Sequence, residues 1–160
     1  MAKIITAAEA ADLIQDGMTL GVSGFGAFAS PDYVMEAMSR KFKEQNTPRD
    51  LTIVSGVAPG DFVEDGCGLS KIKDEGIIKT LIASHLRMSP AIGRACSENK
   101  IAAFSMPLGV YGQLLNAIGS KRPGIITHVG LNTYADPRQD GCKMNELAKA
   151  DGREMVELIH

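Results

Sequence analysis

Residues 16–31 read DGMTLGVSGFGAFASP. Asp16-Gly17 is a turn signal, and MTLGV has the apolar content of a short buried strand. Gly24 and Gly26 then punctuate the chain ahead of Ser30-Pro31, a pair suited to opening a helix. The spacing predicts a strand at 18–22, a tight glycine loop, and a helix capped by Ser30. Pro31 fits its first turn, where the missing N–H costs nothing. Strand, loop and helix in that order form the unit from which parallel sheets are built.

The unit repeats along the chain. Thr6 and Glu9 form a capping-box pattern ahead of a short helix through Ala10 to Ile14. Val34, Met35, Met38 and Phe42 recur at helical spacing, so the second helix is expected to run to about Glu44, with the methionines on its core face. LTIVSGV at 51–57 reads as a central strand, and residues 58–76 as a glycine-rich loop. KTLIASH reads as a strand and SPAIGRACSENK as a helix capped by Ser89. IAAFSM reads as another strand, and PLGVYGQLLNAIGS as a helix from Pro107. Residues 124–141 are expected to hold strand and loop, and the final EMVELIH alternates like a strand cut short.

This alternation predicts a single α/β domain over residues 1–160: an open, mostly parallel, doubly wound sheet with helices on both faces. Ligands of such sheets sit beyond the carboxyl ends of the strands. The loops after Val22, Val57, Ser84 and Met106 lie at that edge.

The bulk properties narrow the function classes. Of 160 residues, 44% are hydrophobic and 22% charged, a globular mixture with enough chain for a real core. Basic and acidic residues number 17 and 19 and are interspersed, so no basic face points to nucleic acid. No apolar run reaches the roughly 18 residues of a membrane span, and the N-terminus lacks signal-peptide features. Cys67, Cys96 and Cys142 are odd in number and widely spaced, which fits reduced thiols and a cytoplasmic location. With His85 and His128 they form no closely spaced pair for zinc, so no metal is expected. Lys71, Lys73 and Lys79 lie among acids and read as a solvated face.

The glycine loop admits several chemistries. Gly24, Gly26 and Ala29 fit the dinucleotide fingerprint G-x-G-x-x-A, which would make this a stand-alone nucleotide-binding module. That mechanism needs an acid at the end of the second strand, and the nearest acid beyond it is Asp61. Gly21-Val22-Ser23-Gly24-Phe25 resembles a nucleophile elbow, but Phe25 stands where the second glycine must be. A third possibility is an oligomerising α/β domain without a ligand.

A fourth reading follows from resemblance. DGMTLGVSGFGAFASP resembles the signature of family I coenzyme A-transferases, with Asp16, Gly17, Gly24, Phe25 and Pro31 matching. Gly21, Ser23 and Ala29 depart from that signature, all as small residues. SENKIAAFSMPLGV at 97–110 and PGIITHVGLNTYADPRQDGCKMNE at 123–146 resemble further passages of the family, in the same order. The likeness runs from Ile4 to Leu158 and is greatest to the single-chain acetate, propionate and 3-ketoacid enzymes of bacteria.

The resemblance implies an acyl-CoA and a carboxylic acid as substrates, no permanently bound cofactor, and a ping-pong route through a glutamyl-CoA thioester. It implies a substrate and CoA pocket containing Gly24, Phe25, Gly26, Leu108, Gly109, Asn132, Thr133 and Arg138. The family's nucleophile lies in a Glu-Ser/Thr-Gly stretch of the second half. No such stretch occurs here, since Glu75-Gly76 lacks the middle residue and Glu64-Asp65-Gly66 sits in a different context. No catalytic residue is therefore assigned, and the chain reads as an N-terminal fragment that needs the missing half in cis or in trans and is expected to form a homo-oligomer. Leu108 stands where many relatives carry glutamine, so the resemblance implies either that this turn does not bind the substrate's carboxylate directly or that the acyl chain is more apolar. Gln113, one turn on, is a candidate substitute for that amide. Arg138 offers a planar fork to a phosphate or carboxylate, or else belongs to a surface turn built on Asp136.

Overall fold

The computed structural model describes residues 3–159. Four strands, β1 (Thr19–Val22), β2 (Leu51–Ser55), β3 (Ile78–Ala83) and β4 (Ala102–Ser105), form one sheet in the order β1-β2-β3-β4, every neighbouring pair parallel. Before, between and after them come α1 (Ala7–Asp12), α2 (Asp32–Gln45), a 3-10 turn (Gly68–Ile72), α3 (Pro90–Ser97), α4 (Leu108–Gly119) and α5 (Glu146–Ala150). The expected α/β class and parallel open sheet are both present, with helices against both faces.

Alternation along the strands decides which side chains meet which helices. Leu20, Val22, Leu51, Ile53, Leu81, Ala83 and Ala103 form one face, packed with Ala11, Met35, Met38, Ile92 and Cys96 of the helices before β4. Fully burying a leucine or isoleucine there contributes about 1.5–3 kcal/mol, so this face carries most of the fold's stability. On the other face Ala102 and Phe104 pack against Ala148 of α5, with Ile82 and Met155 alongside. The Arg153 guanidinium lies 5.9 Å from the centre of the Phe104 ring, and its Nη2 donates to Thr80 Oγ1 at 2.8 Å. On that same face Thr19 and Gly21 of β1 remain exposed.

Local signals mostly act as expected. Thr6 caps α1 through a complete capping box with Glu9. Asp16 Oδ1 accepts from Thr47 Oγ1 at 2.6 Å and from the Arg49 N–H at 2.9 Å. The Asp-Gly turn therefore ties the entries of β1 and β2 together at the edge opposite the site loops.

Four expectations are corrected. Ser30 does not cap α2: the helix begins at Asp32 behind Pro31, and Ser30 Oγ is buried without a hydrogen-bond partner. Ser89 precedes α3 but its hydroxyl donates instead to the Pro59 carbonyl at 2.7 Å. Residues 124–141 hold turns and no strand, and so do the described residues of the tail, 152–159, hold no strand; His160 lies outside the described residues. Both segments lack a neighbouring strand to complete a ladder, and extended pattern alone does not make one.

The helix the sequence reading missed, α5, is only five residues long, too short to show a period. It exists because Asn145 holds it. Asn145 Oδ1 accepts from the Ala148 N–H at 3.0 Å and the Ala103 N–H at 3.2 Å, while Nδ2 donates to the Cys96 and Ile101 carbonyls at 2.7 Å each. One amide thus joins α3, β4 and α5 with its full hydrogen-bonding capacity. Asn145→Ala leaves four partly buried backbone groups without partners, and the expected loss is about 2–4 kcal/mol of unfolding free energy. Urea titration followed by circular dichroism measures it, and a change below about 0.5 kcal/mol would refute the clamp.

Candidate functional site

Because the strands are parallel, the loops that leave them share one rim, and backbone hydrogen bonds sew these loops together. The Gly60 N–H donates to the Gly26 carbonyl at 3.1 Å, the Ala58 N–H to His85 at 3.0 Å, and the Phe62 N–H to Met88 at 2.9 Å. Ser55 Oγ donates to the Val22 carbonyl at 2.8 Å, and Ser105 Oγ to the Ser84 carbonyl at 2.9 Å. Each strand end is therefore tied to its neighbour's.

The glycine loop forms a two-residue hairpin. Phe25 and Phe28 exchange N–H···O bonds of 3.1 Å across Gly26-Ala27, with Gly26 at φ +60°. Gly24 is required twice over. Its φ is +126°, and a Cβ there would stand 3.1 Å from Pro59 Cβ and 3.3 Å from the Phe28 carbonyl oxygen. The hairpin projects the Phe25 and Phe28 rings into solvent, 60% and 80% exposed.

The peptide N–H groups of this loop divide into two sets. Phe25 N–H is held by Phe28, and Gly26 N–H points at the Met88 thioether sulfur at 3.2 Å. Gly24 N–H makes no hydrogen bond among the described residues. Such an arrangement does not gather successive amides around one phosphate, as a dinucleotide loop must. Ser23 Oγ donates to the Ala29 carbonyl at 3.0 Å, which closes the loop and gives the hydroxyl a structural task in place of a nucleophile's.

Leu108, the first residue of α4, meets the same rim from the other side. A Cβ on Gly56, just beyond β2, would stand 3.1 Å from Leu108 Cδ1 and 3.4 Å from the Tyr111 ring. Tyr111 is buried, and its hydroxyl donates to the Val54 carbonyl at 3.3 Å. Leu108 is 49% exposed, and nothing lies within 4 Å of a Cβ built on Gly109. Gln113 is exposed on α4.

Asn132, Thr133 and Arg138 lie on one loop organised by Asp136, whose carboxylate is 1% exposed. It accepts from the Asn132 N–H at 2.7 Å and the Arg138 N–H at 2.9 Å. The guanidinium grips it through Nε at 2.9 Å and Nη2 at 2.6 Å. The Arg138 bonds, followed by the Asn132 N–H, hold the Asp136 carboxyl far below the usual carboxylate range. Arg138 is thus already paired within its own loop. Thr133 Oγ1 donates to the Gly130 carbonyl at 2.7 Å. The loop docks on the rim through Tyr134, whose hydroxyl lies 3.0 Å from Ser105 Oγ.

Tyr134, Ser105, Gly56, Tyr111 and Met88 were invisible as site residues in the sequence, because their role depends on which strand ends are neighbours. The cysteines are not candidates for nucleophiles. Burial pushes the Cys96 thiol up to about 12 and Cys142 to about 11, and burial followed by Asp61 raises Cys67. Among the described residues no group of three or more His, Cys, Asp or Glu is placed to hold a metal ion, and no helix is long and apolar enough to cross a membrane.

Comparison with known proteins agrees with this geometry. A family model described as "Coenzyme A transferase" matches residues 4–157. The chain is 41% identical over 158 residues to the caffeate CoA-transferase of Acetobacterium woodii, an alignment covering 99% of this chain and 30% of that protein. It is 37% identical over 156 residues to the acetate CoA-transferase YdiF of Escherichia coli K12, covering 97% of this chain and 29% of the relative. The chain therefore spans about 30% of the length of these curated relatives. A crystal structure of the acyl-CoA transferase YdiF from Escherichia coli O157:H7, a thioester complex with CoA, superposes with a TM-score of 0.90. It is 35% identical, covering 98% of this chain and 30% of that one. With the family model matched over residues 4–157 and the fold superposing on a relative at a TM-score of 0.90, the chain belongs to the coenzyme A transferase family.

Proposed function

We propose that this chain is the N-terminal part of a coenzyme A-transferase that moves CoA between an acyl-CoA and a short-chain carboxylate or 3-ketoacid. The glycine hairpin, the entry of α4 and the Asn132–Arg138 loop form one wall of its site. The observation that carries the reading is the Gly24 N–H, which lies on the turn after β1 at the carboxyl rim and has no hydrogen-bond partner among the described residues. An unpartnered backbone donor on a turn packed closely against its neighbours is suited to a carbonyl that becomes an oxyanion.

The chemistry then divides between two parts of the polypeptide. A glutamate carboxylate, supplied by the part outside this chain, attacks the thioester carbonyl. The C–S bond breaks, CoA leaves as thiolate, and an acyl-glutamyl anhydride remains. The thiolate attacks the glutamyl carbonyl, the anhydride C–O bond breaks, and the first acid departs as carboxylate. The glutamyl-CoA thioester reacts with the second acid by the same steps reversed. This replaces one difficult exchange with two acyl transfers. The residues of this chain donate to the developing oxyanion and hold the acyl group. They carry no covalent intermediate. Assembly with the remaining half, in cis or in trans, a homo-oligomeric state and a cytoplasmic setting complete the proposal.

The test uses the chain together with the rest of its polypeptide, with assembly verified by size-exclusion chromatography. CoA exchange between acetyl-CoA and a short carboxylate is expected, with a glutamate of the other part gaining the mass of CoA when acceptor is withheld. An assembled protein inactive with every donor refutes the proposal. Calorimetry separates it from a nucleotide-binding module, which alone predicts heat with NAD or ATP.

The Asp136 carboxylate sets the shape of the third wall segment. Its depressed pKa means that its contribution is fully present above the ordinary carboxylate value near 3.9 and is lost as pH falls through the folded value. The loop should therefore keep its order from about pH 5 upward. In Asp136→Asn, the amides of Asn132 and Arg138 are expected to exchange about tenfold faster at pH 7, as local opening becomes easier. Hydrogen exchange read by mass spectrometry checks this, and unchanged protection would show that the ion pair does not hold the loop.

A further inference from the structure

The two edges of the sheet are finished differently. Along the outer side of β4, backbone groups find partners. The Ser105 N–H donates to the Cys142 carbonyl at 2.8 Å, the Met144 N–H to the Ala103 carbonyl at 2.9 Å, and the Ala103 N–H to Asn145 Oδ1 at 3.2 Å. Along β1 they do not. A strand in a parallel pair turns the N–H and C=O of alternate residues toward its neighbour. The Thr52 N–H donates to the Met18 carbonyl at 3.0 Å, so Met18, Leu20 and Val22 face β2, and Thr19 and Gly21 send their N–H and C=O groups outward. These outward groups have no partner among the described residues. Edge strands that stay in water are guarded by charge, proline or a bulge, and TLGV has none of these.

The sheet face beside that edge is bare as well. Thr19, Gly21, Thr52, Val54, Ile82 and Phe104 share this face by register. Arg153 and α5 cover its β3 and β4 side. α4 reaches β2, where Leu108 and Tyr111 close over Gly56 and the Tyr111 hydroxyl bonds to Val54. Over β1, nothing lies within 4 Å of a Cβ built on Gly21. Neither a left-handed φ nor a neighbour in this chain calls for glycine there, and a glycine inside an unbulged strand often marks the close approach of another backbone. α4 has no charged residue, and its Leu115 and Ile118 are exposed. On the opposite face, α2 exposes Glu36, Arg40, Lys43 and Glu44. Charge on the outer side belongs to a helix that faces water, and an uncharged outer side to one that is covered.

We infer that the β1 edge and the face beside α4 seat a strand and helix from the remaining part of the transferase polypeptide. The strand runs parallel to β1 and bonds to Thr19 and Gly21, and the helix lies over Gly21 against α4. This rests on the CoA-transferase reading, and it names the surface through which the rest of the enzyme joins this part. The matched stretch is about 30% of the length of the curated relatives, so the polypeptide that completes the enzyme is long enough to supply such a unit. Val22 leads into the glycine hairpin, so a strand added in parallel ends beside Gly24 and brings its own loop to the unpartnered N–H. A second copy of this chain pairing through the same edge would run antiparallel about a two-fold axis and place its hairpin at the opposite end.

Hydrogen exchange with electron-transfer fragmentation, applied to the complete polypeptide containing this chain, reads the Thr19 and Gly21 amides singly. Both are expected to exchange at least about a hundredfold more slowly than in an unstructured peptide, and equally slowly after dilution. Gly21→Lys has room within this chain but sets a charge beneath the docked helix. It is expected to lower the midpoint of thermal unfolding by several degrees, while Glu36→Lys on α2 leaves it in place. Amides that exchange at the peptide rate would overturn the inference. So would protection lost on dilution, the mark of a second copy, or a midpoint unmoved by Gly21→Lys. CoA exchange measured on the same preparation keeps the two readings apart. Activity with unprotected Thr19 and Gly21 amides overturns this inference alone, and absence of exchange with every donor overturns the transferase reading.

Discussion

Everything at the site depends on how closely the strand-end loops can approach one another. Four parallel strands send their carboxyl ends to one edge, and the loops there must lie side by side within hydrogen-bonding distance. Gly24 meets Pro59 so closely that a Cβ would stand 3.1 Å from it, and Gly56 meets Leu108 and Tyr111 in the same way, at 3.1 and 3.4 Å. A bare backbone at these two points lets the first loop rest on the second and lets α4 fold down onto β2. A side chain at either point would push its neighbours by a few tenths of an ångström, and at Gly24 it would also have to adopt φ +126°.

The remaining order is built on that contact by groups that satisfy one another. The side chains of Asn145 and Asp136 each take part in four hydrogen bonds. Asn145 joins α3, β4 and α5, at the β4 side of the sheet and away from the glycine hairpin. Asp136 shapes its own loop, and that loop reaches the rim through Tyr134 and Ser105. Both belong to the stretch PGIITHVGLNTYADPRQDGCKMNE, which resembles a family passage and which contains no regular strand. Irregular backbone of this length holds its form only when such side chains take the place of a ladder.

Under the proposed transferase reading, the two halves of the site divide the labour along physical lines. This chain contributes backbone donors, apolar surface and a loop with its charge neutralised inside it. Burial keeps its Cys96 and Cys142 thiols protonated, and Ser23 is bonded within its own turn, so none of these three is an activated nucleophile. A surface of this kind suits binding and orientation, and it leaves covalent chemistry to a group brought from elsewhere.

Much of this was legible in the sequence. Periodicity and turn residues placed β1 to β4, α2, α3 and α4 within a few residues, because those signals act over a span shorter than one element. Motif order identified the family and pointed to Gly24, Leu108 and the Asn132–Arg138 stretch. Helix α5 was not legible, since its cause is an amide bonded to residues more than forty positions away. Nor was the pairing of Arg138, which depends on how the loop closes around Asp136. The residues by themselves determined which backbone segments could be strands, where glycine was needed, and what chemistry was missing. Only the tertiary structure decided that Leu108 lies on Gly56 and that Tyr134 reaches Ser105, because strand order, and not sequence distance, sets which ends are neighbours.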